Sequence, residues 1–581
     1  MGKRIAVIDR DKCTNKVCGY LCKNVCPGVR MGDDTITVDD KDYPVINEDL
    51  CTGCGICPKR CPADAIKIIN LVGEGGDPLI QYNVNSFRLY NFAVPKHDGV
   101  VAIVGKNGIG KSTLLDVLSA KIIPNFFDFS KTHNLEEIIP KIKNLELKNY
   151  FEKLKEKEIK VSYKIQNVEL LQKVAKDKTV IEVLTQFDEV NGKENVIEIL
   201  KLTKILDSKL SELSGGELQK VAIAVASLKN SNLFFFDEPS TYLDIYERMK
   251  MAQYISSISD NNSVFVVEHD LAILDYLADY VYILYGEPGA YGVVSKIKGP
   301  RVGINEFMEG YLREENVRFR EVEIKFNKFS VGEQNKKILL SYPEFKKDFG
   351  RFSFHSEKGE VKMGEVVGII GPNSIGKSTF VKLLAGTIES DEGELSSSLK
   401  VAYKPQYIQI DFEGTVQDYI MQERISNTYI KEFDLESLLF KKLEKLSGGE
   451  LQRLAIAHTL SREADIYLLD EPSAFLDVEQ RMRIANVISR DISNKEKVAF
   501  IVDHDIVFID TVSNRLINFT GNPSIYGEAS TLLEKHKAMN LFLKGLNITL
   551  RRDQDTFRPK INKPDSVLDR EQREKDNYYS Y

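Results

Sequence analysis

The sequence predicts an α/β chain in which a small, cysteine-rich α+β module precedes two copies of one α/β domain. Three observations predict it. All eight cysteines fall within the first 61 of 581 residues. A glycine-rich loop leading from an apolar strand into a helix occurs twice, as GKNGIGKST (105–113) and GPNSIGKST (371–379). Three further motifs then repeat in the same order: LSGGELQK (213–220) and LSGGELQR (446–453), FFFDEPSTYLD (234–244) and YLLDEPSAFLD (467–477), VVEHD (266–270) and IVDHD (501–505). A repeat this long is a duplicated domain, since solenoid periods run to about 20–50 residues. A chain of this length exceeds one hydrophobic core, so several domains are expected. They are placed at 1–75 (cysteine module), 76–290 (first copy), 291–325 (a hinge), 326–520 (second copy) and 521–581 (hinge segment and tail).

The cysteine module comes first. Its runs are Cys13-x4-Cys18-x3-Cys22-x3-Cys26-Pro27 and Cys51-x2-Cys54-x2-Cys57-x3-Cys61-Pro62. Cysteines packed into one short stretch of a reducing compartment point to metal rather than disulfides. The second run has the spacing by which ferredoxins hold a [4Fe-4S] cluster, and in two-cluster ferredoxins the fourth cysteine of each run serves the other cluster. Cys13, Cys18, Cys22 and Cys61 are therefore assigned to one cluster, and Cys51, Cys54, Cys57 and Cys26 to the other. Two zinc sites are the alternative, but tetrahedral zinc usually takes two separated pairs of ligands. The module carries eleven basic and eleven acidic residues up to position 75 and so offers no plain RNA-binding patch. Over the whole chain the net charge is −7, which gives no global basic field. No run of 18 apolar residues occurs, and the start MGKRIAVIDRDKC lacks an apolar signal region, so a cytoplasmic protein without a membrane span is expected.

Each α/β copy reads as a phosphate-handling engine. Backbone N–H groups of the loop glycines (Gly105, Gly108 and Gly110; Gly371 and Gly376), with Asn107 and Asn373, can close around phosphate oxygens at a helix N-terminus. Lys111 and Lys377 reach the β- and γ-phosphates; Ser112 and Ser378, followed by Thr113 and Thr379, supply the hydroxyls for Mg²⁺. Ser374 stands where the first loop has Gly108, and is strained if that position needs positive φ. Asp237 and Asp470, ending apolar strands, suit Mg²⁺, and Glu238 and Glu471 suit polarisation of the attacking water. Gln166 and Gln406 offer a neutral contact to metal and water. His269 and His504, each after an apolar strand, are placed near the γ-phosphate. Tyr82 and Phe87 are candidates for stacking on the base at the first site, with core packing as the equal alternative. For the second site Phe352 and Phe354 both remain open.

The spacing from Lys111 to Ser214 exceeds that from Lys377 to Ser447 by 33 residues. The excess lies mainly in NLEEIIPKIKNLELKNYFEKLKEKEIK (134–160), an amphipathic helical insertion (about 130–160) broken at Pro140. It reads as a solvated face or as a docking element. The segments 286–325 and 550–581 read as a packed seam with a frayed end.

P-loop, glutamine, LSGGE, DEP and histidine in this order resemble the ATP-binding-cassette ATPases. The resemblance implies twin ABC-type P-loop ATPase domains preceded by a small two-cluster ferredoxin-like domain. It also implies that each LSGGE covers the γ-phosphate held by the other P-loop, which joins Ser447 and Gly449 to the first site and Ser214 and Gly216 to the second. With GEPGAYG, GINEFMEGYLREENVRFR, VAYKPQYI and DEPSAFLDVEQR, nearly the whole chain resembles the ribosome-recycling ATPases first named RNase L inhibitor, subfamily E of the ABC proteins. That family implies two [4Fe-4S] clusters, ATP and Mg²⁺ as cofactors. It implies ATP-driven splitting of archaeal or eukaryotic ribosomes after termination or stalling, with retention on the small ribosomal subunit. Pelota or a class-one release factor is the implied partner on the ribosome, and the implied form is a monomer whose cassettes pair within one chain. The cluster module then acts as a lever. Departures from the family pattern are Ser374, Ile165 opposite Pro405, and Asp503 opposite Glu268. The competing readings are a redox ATPase that gates electron flow and, less well matched, the ATPase half of a transporter.

Overall fold

The computed structural model describes residues 4–71, 78–129, 131–164, 166–175, 177–326, 336–393, 399–408, 410–553 and 556–580. Contacts gather into two units: 1–241 with 253–268 and 277–323, and 242–252 with 269–276 and 324–581.

In the first unit the cysteine module is built on an antiparallel pair, Arg4–Ile8 with Ile66–Asn70, and a hairpin, Ile36–Val38 with Pro44–Ile46. Three helical turns, Leu21–Asn24, Pro27–Arg30 and Ile56–Arg60, carry cysteines between them. Their small core of Ala6, Ile8, Ile36, Ile46 and Ile66 closes over the buried Cys22, Cys26 and Cys57.

The first α/β domain is an eight-stranded sheet whose central strand, Gly99–Gly105, is buried throughout. On one side it pairs in parallel with Ser263–Val267, then Leu233–Asp237, then Val161–Lys164; on the other with Tyr280–Glu287. These strands are nearly continuous apolar runs because both faces of a parallel sheet are covered. Their carboxyl ends are where ligands of open α/β sheets bind. The edge is formed by Tyr291–Val294, Arg88–Tyr90 and Ile80–Gln81. In the second unit the same order recurs around Val366–Ile370: Val498–Val502, Ile466–Asp470 and Val401–Lys404 on one side, Arg515–Asn522, Tyr526–Ala529, Ser353–Ser356 and Phe345–Asp348 on the other. Each sheet thus takes a strand from beyond the expected domain ends at 290 and 520.

The insertion forms Leu135–Ile138, a tighter turn at Ile139–Lys141 that contains Pro140, and the helix Leu145–Lys155. Asn144 caps that helix, accepting from the Leu147 amide. Leu147, Tyr150 and Phe151 join the first core, while Lys143, Lys153, Lys155 and Lys157 stay exposed. The tail differs from expectation. Leu550–Arg552, Pro559–Ile561 and Tyr579–Ser580 form a three-stranded sheet, and Tyr579 is buried. The chain is packed to residue 580 rather than frayed, because the aromatic end supplies the third strand with a core side chain.

Candidate ATP sites and cluster centres

Each P-loop bends between strand and helix on residues in the left-handed region. Gly108 has φ 73° and Gly110 φ 98°; in the second loop Ser374 has φ 56° and Gly376 φ 100°. A Cβ at Gly110 would stand 2.6 Å from Phe87 Cζ, so the loop is pressed against that ring. Ser374 carries the strain anticipated for a side chain at this position. The loop tolerates it because the Ser374 carbonyl accepts from the Ser524 amide (2.9 Å), as Gly108 does from Gly289 (2.9 Å). Ser374→Gly is expected to relieve about 1 kcal/mol of backbone strain and raise the unfolding midpoint of the second domain in denaturant titration. An unchanged midpoint would refute the strain.

Lys111 Nζ donates to the Gly105 and Lys106 carbonyls (2.9 Å each), and Lys377 Nζ to those of Gly371 (2.9 Å) and Pro372 (2.5 Å). Both ammonium groups are therefore held at the mouth of their loops. Asn107 Oδ1 lies 3.5 Å from Lys111. Ser112 Oγ donates to Asp237 Oδ2 (2.9 Å) and Ser378 Oγ to Asp470 Oδ2 (3.0 Å), which brings together the paired oxygens that suit Mg²⁺ in both copies. Burial, then the neighbouring Glu238, pushes the Asp237 carboxyl up to about 6, a cost that a bound cation offsets. Gln166 Nε2 donates to Glu238 Oε1 (2.8 Å), and Gln406 Nε2 to Glu471 Oε1 (2.7 Å). Burial, with Asp470 next, pushes Glu471 up to about 7. His504 Nε2 stands 3.6 Å from Glu471 Oε1, and burial holds that imidazole well below its usual range, so it is neutral. His269 opens the segment 269–276, where Arg481 approaches its carbonyl oxygen (3.4 Å).

Both glutamates have positive φ, 47° at Glu238 and 48° at Glu471, a costly setting that persists only when over-determined. The restraints are residues that motif reading passed over. The Glu238 amide donates to Val267 (2.9 Å), and its carbonyl accepts from Gln219 (2.8 Å) and Lys164 (3.3 Å). At Glu471 the partners are Val502 (2.8 Å), Gln452 (2.5 Å) and Lys404 (3.2 Å). Burial lowers the Lys164 and Lys404 ammonium groups to about 8. The signal was present in the repeat itself: Lys-x-Gln at 164–166 and 404–406, and Gln219 and Gln452 within each LSGGELQ.

Ser214 and Ser447 cap the helices Gly215–Ser227 and Gly448–Ser461, each in a capping box with Glu217 or Glu450. Gly216 and Gly449 therefore lie in first turns, where backbone N–H groups favour anions. At Gly449 a Cβ would stand 2.8 Å from the Phe475 carbonyl. The Asn373 amide donates to Asp244 Oδ2 (2.7 Å), while Asp244 Oδ1 caps its own helix through the Glu247 amide (2.9 Å). Asp244 is a further residue that the motif reading missed. Glu268 accepts from the Ser240 amide (2.9 Å); the shorter Asp503 takes both the Ser473 amide (3.0 Å) and its hydroxyl (2.7 Å). That exchange preserves the anchor of each loop. Ile165 lies outside the described residues.

Tyr82 is 43% exposed and its hydroxyl donates to Thr113 Oγ1 (3.2 Å), so its ring stands beside the loop. Phe87, against Gly110, is half-buried. In the second copy Phe354 is buried in the core against Phe380 and Phe519. Phe352 lies 3.1 Å from a Cβ at Gly376, in the place of Phe87, and stacks on the half-exposed Phe349. The accessible aromatic pair of the second site is therefore Phe352 with Phe349, and Phe354 belongs to the core.

The cysteines gather into two sets. Cys22 neighbours Cys13, Cys18 and Cys61; burial pushes its thiol up to about 11. Cys57 neighbours Cys51, Cys26 and Cys54, and burial pushes it up to about 12. Cys26, Cys51, Cys54 and Cys57 line a cavity walled by Ile36, Ile46 and Ile68. All eight are free of disulfides. Among the described residues no three His, Cys, Asp or Glu side chains close on a point that one ion would occupy. Thiols ringing a cavity, Cys26 and Cys57 among them buried, fit a thiolate-bound cluster, which takes up the charge that burial otherwise suppresses. Protein purified without oxygen is expected to hold about eight irons and eight sulfides; chelation should unfold residues 1–75, and two zincs without sulfide would refute the assignment.

The module is fixed to the first α/β domain. Asn85 Oδ1 accepts from the Ile46 amide (2.8 Å), and its Nδ2 donates to the Ile46 (3.0 Å) and Ala6 (3.3 Å) carbonyls. The Ile8 amide donates to the Asn85 carbonyl (2.8 Å). Arg88, 2% exposed, grips Glu48 through both nitrogens (2.7 and 3.1 Å).

Residues 90–241 and 354–474 match the ABC transporter family model, 44–67 the 4Fe-4S binding domain, and 4–34 the possible Fer4-like domain in RNase L inhibitor, RLI. Translation initiation factor RLI1 of Saccharomyces cerevisiae is 40% identical over 595 residues, covering 99% of this chain and 98% of that protein. ABC transporter E family member 1 of Arabidopsis thaliana is 39% identical over 594 residues, covering 99% and 98%. The chain belongs to the ABC E family. An uncharacterized ABC transporter ATP-binding protein of Methanocaldococcus jannaschii shares 51% identity over 588 residues with this E-family chain, covering 99% and 97%. A solved model of ribosome-bound archaeal Pelota and ABCE1 matches with TM-score 0.92 at 48% identity, covering 99% of both chains. A crystal structure of archaeal ribosomal stalk protein aP1 with archaeal ribosome recycling factor aABCE1 matches with TM-score 0.83 at 49% identity, covering 87% of this chain and 99% of that one. The E-family chain is thus an ABC-type ATPase with two [4Fe-4S] clusters that uses ATP and Mg²⁺. Among its described residues no helix is long and apolar enough to cross a membrane.

Proposed function

We infer that this protein is a cytoplasmic, ATP-driven ribosome-recycling factor. It splits ribosomes into subunits after termination or stalling and stays on the small subunit, meeting Pelota or a class-one release factor there. The observation that carries this reading is the joint of Asn85 and Arg88–Glu48, which makes the cluster module a body attached to an ATPase domain rather than a mobile electron carrier. The cluster ligands end at Cys61 and the ATP-handling residues begin at Tyr82. In each site the lysine (Lys111 or Lys377) meets the terminal phosphates, and Tyr82 with Phe87, or Phe352 with Phe349, flanks the base. Mg²⁺, held by Ser112 with Asp237 or Ser378 with Asp470, supplies charge neutralisation at the γ-phosphate. Glu238 and Glu471 orient the attacking water, each steered by its glutamine, and His269 and His504 report on the γ-phosphate. Sedimentation of intact ribosomes with the protein tests the reading: free subunits should appear with ATP and not without it. Ribosomes that stay intact in both would overturn it.

A further inference from the structure

The strand Val161–Lys164 and its counterpart Val401–Lys404 each end on a lysine sealed from water, Lys164 at 2% exposure and Lys404 at 1%. Lysine is almost never fully buried unless it is paired, and a strand end that needed only packing would carry an apolar side chain. The strand register sets Lys164 beside Phe236 and Lys404 beside Leu469, one residue short of the aspartate. From there each side chain reaches the turn beyond the neighbouring strand. Lys164 Nζ donates to the Asp237 (2.9 Å) and Glu238 (3.3 Å) carbonyls, and Lys404 Nζ to those of Asp470 (2.6 Å) and Glu471 (3.2 Å). The first carbonyl of each pair belongs to the peptide that enters the glutamate, the second to the peptide that leaves it. An ammonium with three donors can hold both. Holding both fixes the two backbone rotations at the glutamate, and so the direction in which its side chain departs. That backbone sits at φ 47° or 48°, which an L-residue leaves unless it is held. Two residues further on, Gln166 or Gln406 meets the carboxylate itself (2.8 and 2.7 Å). Lys-x-Gln thus takes each glutamate at two points, the lysine by its backbone and the glutamine by its carboxylate.

We propose that Lys164 and Lys404 are positioning residues for hydrolysis, each setting the backbone of its glutamate so that the carboxylate meets the attacking water. The lysines touch neither water nor phosphate and act only through Glu238 and Glu471. The proposal therefore rests on the reading of those two glutamates as water-orienting groups. A misplacement of about 1 Å can cost about 10²-fold in rate. Loss of the lysines cannot exceed loss of the carboxylates they place, about 10²–10⁴-fold.

The test uses the full-length, cluster-loaded protein and a cycle of variants. Lys164→Met with Lys404→Met fills the same space without a donor. Its kcat for phosphate release should fall about 10–100-fold, with KM for ATP and affinity for a non-hydrolysable analogue within about threefold of the parent's. The same methionines added to Glu238→Gln with Glu471→Gln should slow the residual hydrolysis no further, because residues that act as a unit are not additive. A general loosening of the domain would lower both backgrounds by the same factor, and that result overturns the proposal. Should the methionine pair fail to fold, as judged by melting, Lys164→Gln with Lys404→Gln is the second variant. It keeps a polar group in the pocket but is too short to span both carbonyls, and the same fall in kcat and the same cycle are expected of it. A kcat equal to the parent's in the folded lysine variants, beside slow hydrolysis in the glutamate variants, overturns the proposal alone. Hydrolysis at the parent's rate in the glutamate variants overturns the reading of the glutamates and the proposal with it.

Discussion

Changing Glu238 and Glu471 together to glutamine is expected to slow ATP hydrolysis by about 10²–10⁴-fold while ATP binding stays near the parent's, because water-orienting bases typically contribute that much. Glutamine keeps the contact from Gln166 or Gln406 and fills the same space, so the left-handed turn held by Lys164 and Gln219, or Lys404 and Gln452, persists. The loss is then chemical rather than structural. Single variants should each lose the turnover of one site, and the double variant should accumulate on small subunits with nucleotide bound. Phosphate release at the parent's rate from the double variant would show that these carboxylates are not the bases.

Removing residues 1–75 is expected to abolish subunit splitting while ATP hydrolysis persists. The truncation exposes Arg88 to water rather than stranding it, since the module that covers it leaves together with Glu48. The subtler change behaves oppositely. Glu48→Gln keeps the module in place and leaves the Arg88 charge buried, which should cost about 3–5 kcal/mol, as broken buried pairs do. Phosphate release and ribosome dissociation on a sucrose gradient, measured on the same preparations, decide the matter. Normal splitting by the truncated chain would end the lever reading, whereas loss of hydrolysis would favour a gated redox enzyme.

What was legible in the sequence was local. Lys111, Ser112 and Asp237 sit beside glycines or at the end of apolar runs, and the cysteines have their partners within a few residues or in a matching run. Each pattern encodes its own chemistry. What was illegible depends on a partner far along the chain. Arg88 and Glu48 look like ordinary surface charges until the hairpin of the module meets the sheet edge, and Asp275 gives no hint of Arg558, 283 residues away. Phe352 and Phe354 are two apart and face the same side of their stretch, so alternation alone could not separate them; only depth in the core does. The buried end at Tyr579 was hidden for a similar reason, since a charged tail with terminal aromatics reads as solvated until a third strand is formed.

The joint at Asn85 and Arg88 also works in reverse. Phe87, next to Arg88 in the chain, wedges against Gly110 in the glycine-rich loop, so the residues that root the module (Asn85 and Arg88) and the ring that backs this loop are close neighbours in sequence. On the proposed reading of that loop as the seat of the triphosphate, a load that resists the module is felt there. Coupling free energy is reciprocal: if nucleotide can bias where the module rests, then an obstacle that holds the module back must change how tightly nucleotide is held. A ribosome that refuses to open would act on this protein as back-pressure, registered as altered ATP affinity before any phosphate is released.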